Sequence, residues 1–117
     1  SLCVEGLCIM AKKSDLLQGT LDLLVLKTLW QEPAHGYAIA QKMLLSSRNV
    51  LDVQQGSLYP ALQRLEKKGL IESEWREGDN GRMAKVYSLQ KAGRKQLEEE
   101  MEEWSRYITA IQWVLEA

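Results

Sequence analysis

Between Asp15 and Gln31 the positions Leu17, Leu21, Leu24 and Thr28, with Leu29 alongside, return at three- and four-residue steps. That spacing paints one face of a helix. The "EPAHG" that follows ends it, because the residue before a proline avoids helical angles and glycine opens unusual ones. A second helix is expected from about Tyr37 to Leu45, with Ile39, Ala40, Met43 and Leu44 facing inward. The polar stretch "SSRNVLDVQQG" leads to a third helix, whose Leu58, Leu62 and Leu65 form an apolar stripe at i, i+4 and i+7. Pro60 is tolerable only near the start of that helix, where amides lack intrahelical partners, so a cap at Gly56 or Ser57 is expected. Gly69 is placed for a left-handed stop after Lys67 and Lys68.

Beyond Gly69 the period changes. Ile71, Ser73 and Trp75 alternate with Glu72, Glu74 and Arg76, as in a half-buried strand. "GDNGRM" supplies turn chemistry, and "AKVYSL" supplies a second strand, giving a hairpin. From about Lys91 to Glu116 a long helix carries Leu97, Met101, Trp104, Ile108, Ile111 and Leu115 at steps of four and three, the seam of a coiled coil. Three short helices, a hairpin and a long final helix predict a mainly α fold with a β-hairpin. This is a winged helix-turn-helix whose third helix enters a DNA major groove, followed by a dimerisation helix. The expected organisation is residues 1–9 as an upstream extension ahead of Met10, residues 10–90 as the winged domain and residues 91–117 as the C-terminal helix.

Composition changes this picture in one respect. The net charge of −1 argues against a uniformly basic coat, yet residues 12–95 hold 14 Lys/Arg against 9 Asp/Glu, and residues 96–117 hold 1 against 6. The body is basic and the tail acidic. Cys3 and Cys8 stand alone without histidine neighbours, so neither a disulfide framework nor a metal site is expected. No apolar run approaches the roughly 20 residues of a membrane span, and a cytoplasmic protein is expected.

The words "QGTLDLLVLKTL", "HGYAIAQKM", "GSLYPALQRLEKKGLI" and "GRMAKVYSLQKAG" carry a resemblance to the PadR family of bacterial transcriptional regulators, covering nearly everything from Asp15 onward. The single final helix is similar to the short subfamily. The resemblance implies a dimeric repressor, in some members responsive to aromatic or drug-like compounds. Gln90 departs from the family's usual threonine before the last helix and is a poorer N-cap.

Several side chains become candidates for DNA contact on this reading. Arg64 lies opposite Leu62 and is the candidate for bidentate contact to a guanine, its loss costing about 1 to 3 kcal/mol. Pro60 shares that face, flanked by Ser57, Lys67 and Lys68. Ser57 is equally a capping residue, and the cations are equally a solvated helix face. Tyr59 combines a packed ring with a hydroxyl for phosphate. Arg82 and Lys85 flank the hairpin turn, where the resemblance implies contact with phosphates or the minor groove. Tyr37 stands between phosphate contact and core packing, and Lys12 and Lys13 rest on charge alone. In the last helix, Trp104 either fills a dimer core or, with Met101 and Ile108 as walls, faces its counterpart across a two-fold axis and sandwiches a flat aromatic ligand.

The lone histidine, His35, reads as a turn residue, and no serine or cysteine has a base partner, so catalysis and cofactors are not expected. About 26 residues at 1.5 Å each make the last helix roughly 39 Å long, more than one small domain covers. A homodimer on a pseudo-palindromic operator, with recognition helices about 34 to 36 Å apart, follows. The competing reading is a winged-helix module for protein interaction without direct DNA contact.

Overall fold

The computed structural model describes the backbone of residues 6–117 and the side chains of residues 19–117. Its elements run α1 (Gly6–Gln31), β1 (Ala34–His35), α2 (Gly36–Ser46), α3 (Gln55–Lys67), β2 (Ile71–Glu77), β3 (Met83–Leu89) and α4 (Lys91–Glu116). The expected winged helix-turn-helix with a long final helix is present. Helix α1 begins at Gly6, well ahead of the Asp15 expected for it, since nothing in "MAKKSD" breaks a helix.

Helix α1 is the centre of the domain, in contact with α2, α3, α4 and β3. Leu21, Leu23, Val25, Leu26, Thr28 and Leu29 are therefore all buried, a wider arc than the stripe read from spacing. Thr28 is accommodated because its hydroxyl donates to the carbonyl of Leu24 at 2.8 Å. Ile39 and Met43 of α2 and Leu58, Ala61, Leu62 and Leu65 of α3 close over α1, and Ile71, Tyr87 and Leu97 complete the core. Each fully buried leucine there contributes about 1.5 to 3 kcal/mol relative to exposure.

The "EPAHG" segment does more than break a helix. Ala34 and His35 pair antiparallel with Tyr87 and Val86, so the expected hairpin is a three-stranded sheet ordered β1-β3-β2. A strand of two residues is too short for any periodicity to announce it. His35 then caps α2, its Nδ1 accepting from the amide of Ala38 at 3.2 Å, which is the structural turn role anticipated for it.

Helix α3 ends as expected. Gly69 has φ 76°, its amide donates to Glu66 O, and Leu70 N donates to Leu65 O, each at 3.0 Å. These two bonds make a Schellman stop. The start differs from expectation. The cap is Gln54, without a side-chain hydrogen bond, so neither Gly56 nor Ser57 caps the helix, and Pro60 lies in the second turn rather than the first. The proline leaves the Gly56 carbonyl without an amide partner. Both residues are exposed, so that carbonyl can be hydrated.

Helix α4 enters the packing at Gly93 and Leu97. A Cβ on Gly93 would lie 2.1 Å from the Leu70 carbonyl oxygen, so only glycine lets the helix approach the loop after α3 this closely. Gln90 caps α4 without a side-chain hydrogen bond, as its chemistry suggested. Beyond Glu100 every residue of α4 is exposed, and the molecule is elongated, 54 × 30 × 26 Å.

Candidate nucleic-acid interface

The buried arc of α3 decides which of its side chains can meet a partner. Leu58, Ala61, Leu62 and Leu65 are all at most 1% exposed. At about 100° per residue the arc is centred between Leu58 and Leu65 rather than on Leu62. Including Ala61 thus rotates the outward direction away from Arg64. Gly56, Pro60, Gln63 and Lys67, spaced four, three and four apart, make the opposite stripe, and all four are exposed. Ser57 and Tyr59 are also exposed and flank this stripe.

Arg64 sits on the shoulder that faces α1. Its Nη2 donates to Asp22 Oδ1 at 2.8 Å, and the two side chains retain 34% and 20% of their exposure. The guanidinium thus ties the third helix to the first, and does not stand free on the outward stripe as expected for it. Lys68, at the C-cap, lines a cleft of about 360 Å³ with Asp22, Leu26, Leu65, Leu70, Gln96 and Glu100, on the α1 and α4 side of the helix. Lys67 stays on the outward stripe, without an ion-pair partner among the described residues.

The wing separates its residues by face. Ile71↔Leu89, Ser73↔Tyr87, Trp75↔Lys85 and Glu77↔Met83 are cross-strand pairs on the side that begins in the core. Ser73 donates to Glu66 Oε2 at 2.6 Å, and Lys85 Nζ lies 4.0 Å from Glu66 Oε1 and 5.8 Å from the Tyr87 ring centre. Lys85 is thus drawn back toward α3 instead of standing free at the turn, as expected for it. Tyr87 is buried, and burial, then the nearby Glu66 carboxylate and Tyr59, push its phenol above the usual tyrosine range. Trp75, expected on the half-buried side, is 64% exposed, and Met83 57%, because the hairpin runs past the edge of the core.

The hairpin turn holds Arg82 outward. Gly78 N donates to Arg82 O at 2.8 Å, Arg82 N donates to Asn80 Oδ1 at 3.0 Å, and Gly81 adopts φ 78°. The Arg82 side chain is exposed, without an ion-pair partner among the described residues. The Tyr59 ring is packed, since a Cβ on Gly36 would lie 2.9 Å from its hydroxyl and 3.1 Å from its ring, so it rests against the start of α2. Tyr37 is 61% exposed and stacks on His35 with ring centres 6.5 Å apart, which corrects the core-packing reading. The side chains of Lys12 and Lys13 lie outside the described residues.

Sequence reasoning passed over two exposed side chains. Gln63 would have been found by counting Ala61 into the apolar stripe. Arg48 stands ahead of α3 in a turn where it and Asn49 take positive φ, 55° and 67°. It was hidden in a polar stretch with no periodicity.

The model of the PadR-like transcriptional regulator family matches residues 25–99, which takes in the end of α1, the whole winged region and the entry into α4. The chain belongs to that family. It is 42% identical over 77 residues to the transcriptional regulator Rv3488 of Mycobacterium tuberculosis, covering 63% of this chain and 68% of the relative. Two solved structures are similar over nearly the whole fold. The PadR family transcriptional regulator of Eggerthella lenta has a TM-score of 0.78 at 29% identity, covering 100% of this chain and 99% of that one. The PadR-like transcriptional regulator of Bacillus cereus has a TM-score of 0.75 at 30% identity, covering 88% and 98%.

In this PadR-like regulator the seam of α4 divides in two. Leu97 is 2% exposed and belongs to its own domain's core, which corrects its assignment to a free seam. Met101, Trp104, Ile108, Ile111 and Leu115 are 38% to 78% exposed, with Tyr107, Trp113 and Val114 also open. Among the described residues no cluster of metal-ligating side chains occurs, and no helix is long and apolar enough to cross a membrane.

Proposed function

We propose that the chain is a homodimeric transcriptional repressor that occludes a promoter in the cytoplasm by binding a pseudo-palindromic operator. The outward stripe of α3, flanked by Ser57 and Tyr59, enters the major groove, while Arg82 at the wing tip meets the minor groove or phosphates. Arg48, Tyr37 and Lys67 lie where they can position the head on the backbone. The observation that carries this reading is a division of labour among the cations. Arg64 is paired with Asp22 and Lys85 lies within 4.0 Å of Glu66, whereas Lys67 and Arg82, on the recognition helix and wing tip, are exposed and have no carboxylate partner among the described residues.

Two copies pair through α4 along Met101, Trp104, Ile108, Ile111 and Leu115, which an isolated protomer leaves in water. A flat aromatic effector enters between the two Trp104 rings, with Met101 and Ile108 as walls. It releases DNA if it favours a dimer arrangement whose heads no longer match adjacent major grooves.

The test is to select bound duplexes from a random library and then measure affinity against salt. Log affinity should fall steeply with log salt, because phosphates neutralised by several cations release counterions. The selected sites should show inverted symmetry. Salt-insensitive binding, or none, would favour a protein-interaction module and sink the DNA reading.

A further inference from the structure

Among the exposed residues of α3, Gln63 stands out for what surrounds it. Among the described residues its side chain has no hydrogen-bond or ion-pair partner, and it is exposed on the stripe directly opposite the buried arc. The neighbouring cation that could have competed for a base, Arg64, is committed to Asp22 at 2.8 Å. Lys67, one turn further, lies in the last turn of the helix, at the end away from the groove floor if the helix enters by its N-terminal part.

The second observation is Gly56, two turns before Gln63 on the same stripe. A Cβ there would meet nothing within 4 Å, and its φ is not in the left-handed region, so the fold does not require glycine at this position. A glycine in the first turn of a helix still loses more backbone freedom on folding than alanine would. An unneeded gap, followed by a flat Pro60 that carries no polar group, lets a surface outside the molecule come close to the helix backbone. Together these residues leave Gln63 as the long polar group that reaches beyond a low stretch of helix.

We propose that Gln63 reads an adenine in each half-site, its carboxamide donating to adenine N7 and accepting from the N6 amino group. A glutamine side chain matches that pair of groups in the major groove and matches no other base with two bonds. This assignment rests on the reading of α3 as a DNA recognition helix. It places the base-specific contact on a residue other than Arg64, whose part is to hold α3 against α1.

The experiment uses the full chain and a selected duplex, with each adenine of a half-site replaced in turn by 7-deazaadenine, which lacks only the N7 acceptor. One position per half-site should lose roughly tenfold or more in affinity. Gln63→Ala should bind the unmodified duplex more weakly and lose its sensitivity at that position alone. Gln63→Glu should move the preferred base there from adenine to cytosine, whose N4 amino group a carboxylate accepts from. If the deazaadenine penalty persists undiminished in Gln63→Ala, or no adenine is sensitive, the Gln63 assignment is wrong while duplex binding stands. If the unmodified chain selects no duplex at all, the recognition-helix reading fails first.

Discussion

Helices α1 and α4 have the same length, 26 residues, and both carry apolar side chains at helical spacing, yet their surroundings are opposite. Where its side chains are described, α1 is enclosed on a wide arc by three helices and a strand. Helix α4 is enclosed only through its first two turns, and then presents Met101, Trp104, Ile108, Ile111 and Leu115 to solvent. The first helix is the more apolar of the two, but what separates their apolar faces is the neighbours that cover them. An apolar face contributes stability only where something covers it, and in a single copy nothing covers the second half of α4.

The largest effects should come from opposing substitutions on the two helices. Leu26→Ala, in the enclosed part of α1, should lower stability by about 2 to 5 kcal/mol in urea titration and leave subunit association intact in kind. Ile111→Glu should do the reverse: where the proposed dimer is expected in sedimentation of the unsubstituted chain, this variant should give single copies while the circular dichroism of the head persists. A wild-type chain that sediments as one copy at micromolar concentration would break the comparison.

A somewhat smaller effect should mark the point where α4 passes from enclosed to free. Gly93→Ala places a methyl group against the Leu70 carbonyl, 2.1 Å from its oxygen, and the backbone must move. Unfolding should be easier by about 1 to 3 kcal/mol, and the loss should be much smaller for Arg94→Ala, one residue along and exposed. Equal losses would mean that the close approach at Gly93 is not what seats the helix.

The smallest effect concerns the ion pair that turns Arg64 inward. A double-mutant cycle of Asp22→Asn and Arg64→Met should give a coupling of about 0.5 to 1 kcal/mol, discounted because both side chains keep some contact with water. A coupling of zero would return Arg64 to the outward cations and weaken the case for Gln63.

How much of this was readable along the chain depends on the reach of each interaction. The helices, the Gly69 stop, the hairpin turn and the structural role of His35 follow from local spacing and backbone chemistry, which act within a few residues. The position of the α3 cap did not follow, because Gln54 offers no side-chain bond to reveal it. Strand β1 did not follow either: its two residues are held by partners about fifty positions later. The candidate interface was legible as a helix and a wing but not residue by residue. Small Ala61 is weak evidence of burial by itself, yet it rotates the exposed stripe from Arg64 to Gln63.

By itself, then, the chain of residues determined the order and kind of its elements, the winged family to which it belongs and the acidic, apolar-seamed last helix. Tertiary structure alone decided which charges remain available. Arg64 and Lys85 look as free as Lys67 and Arg82 in one dimension, and differ only because packing brings Asp22 and Glu66 within reach of the first two. An ion pair forms between residues close in space, and for Arg64 and Asp22 that closeness is a property of how α3 is laid against α1, which no periodicity in either helix encodes.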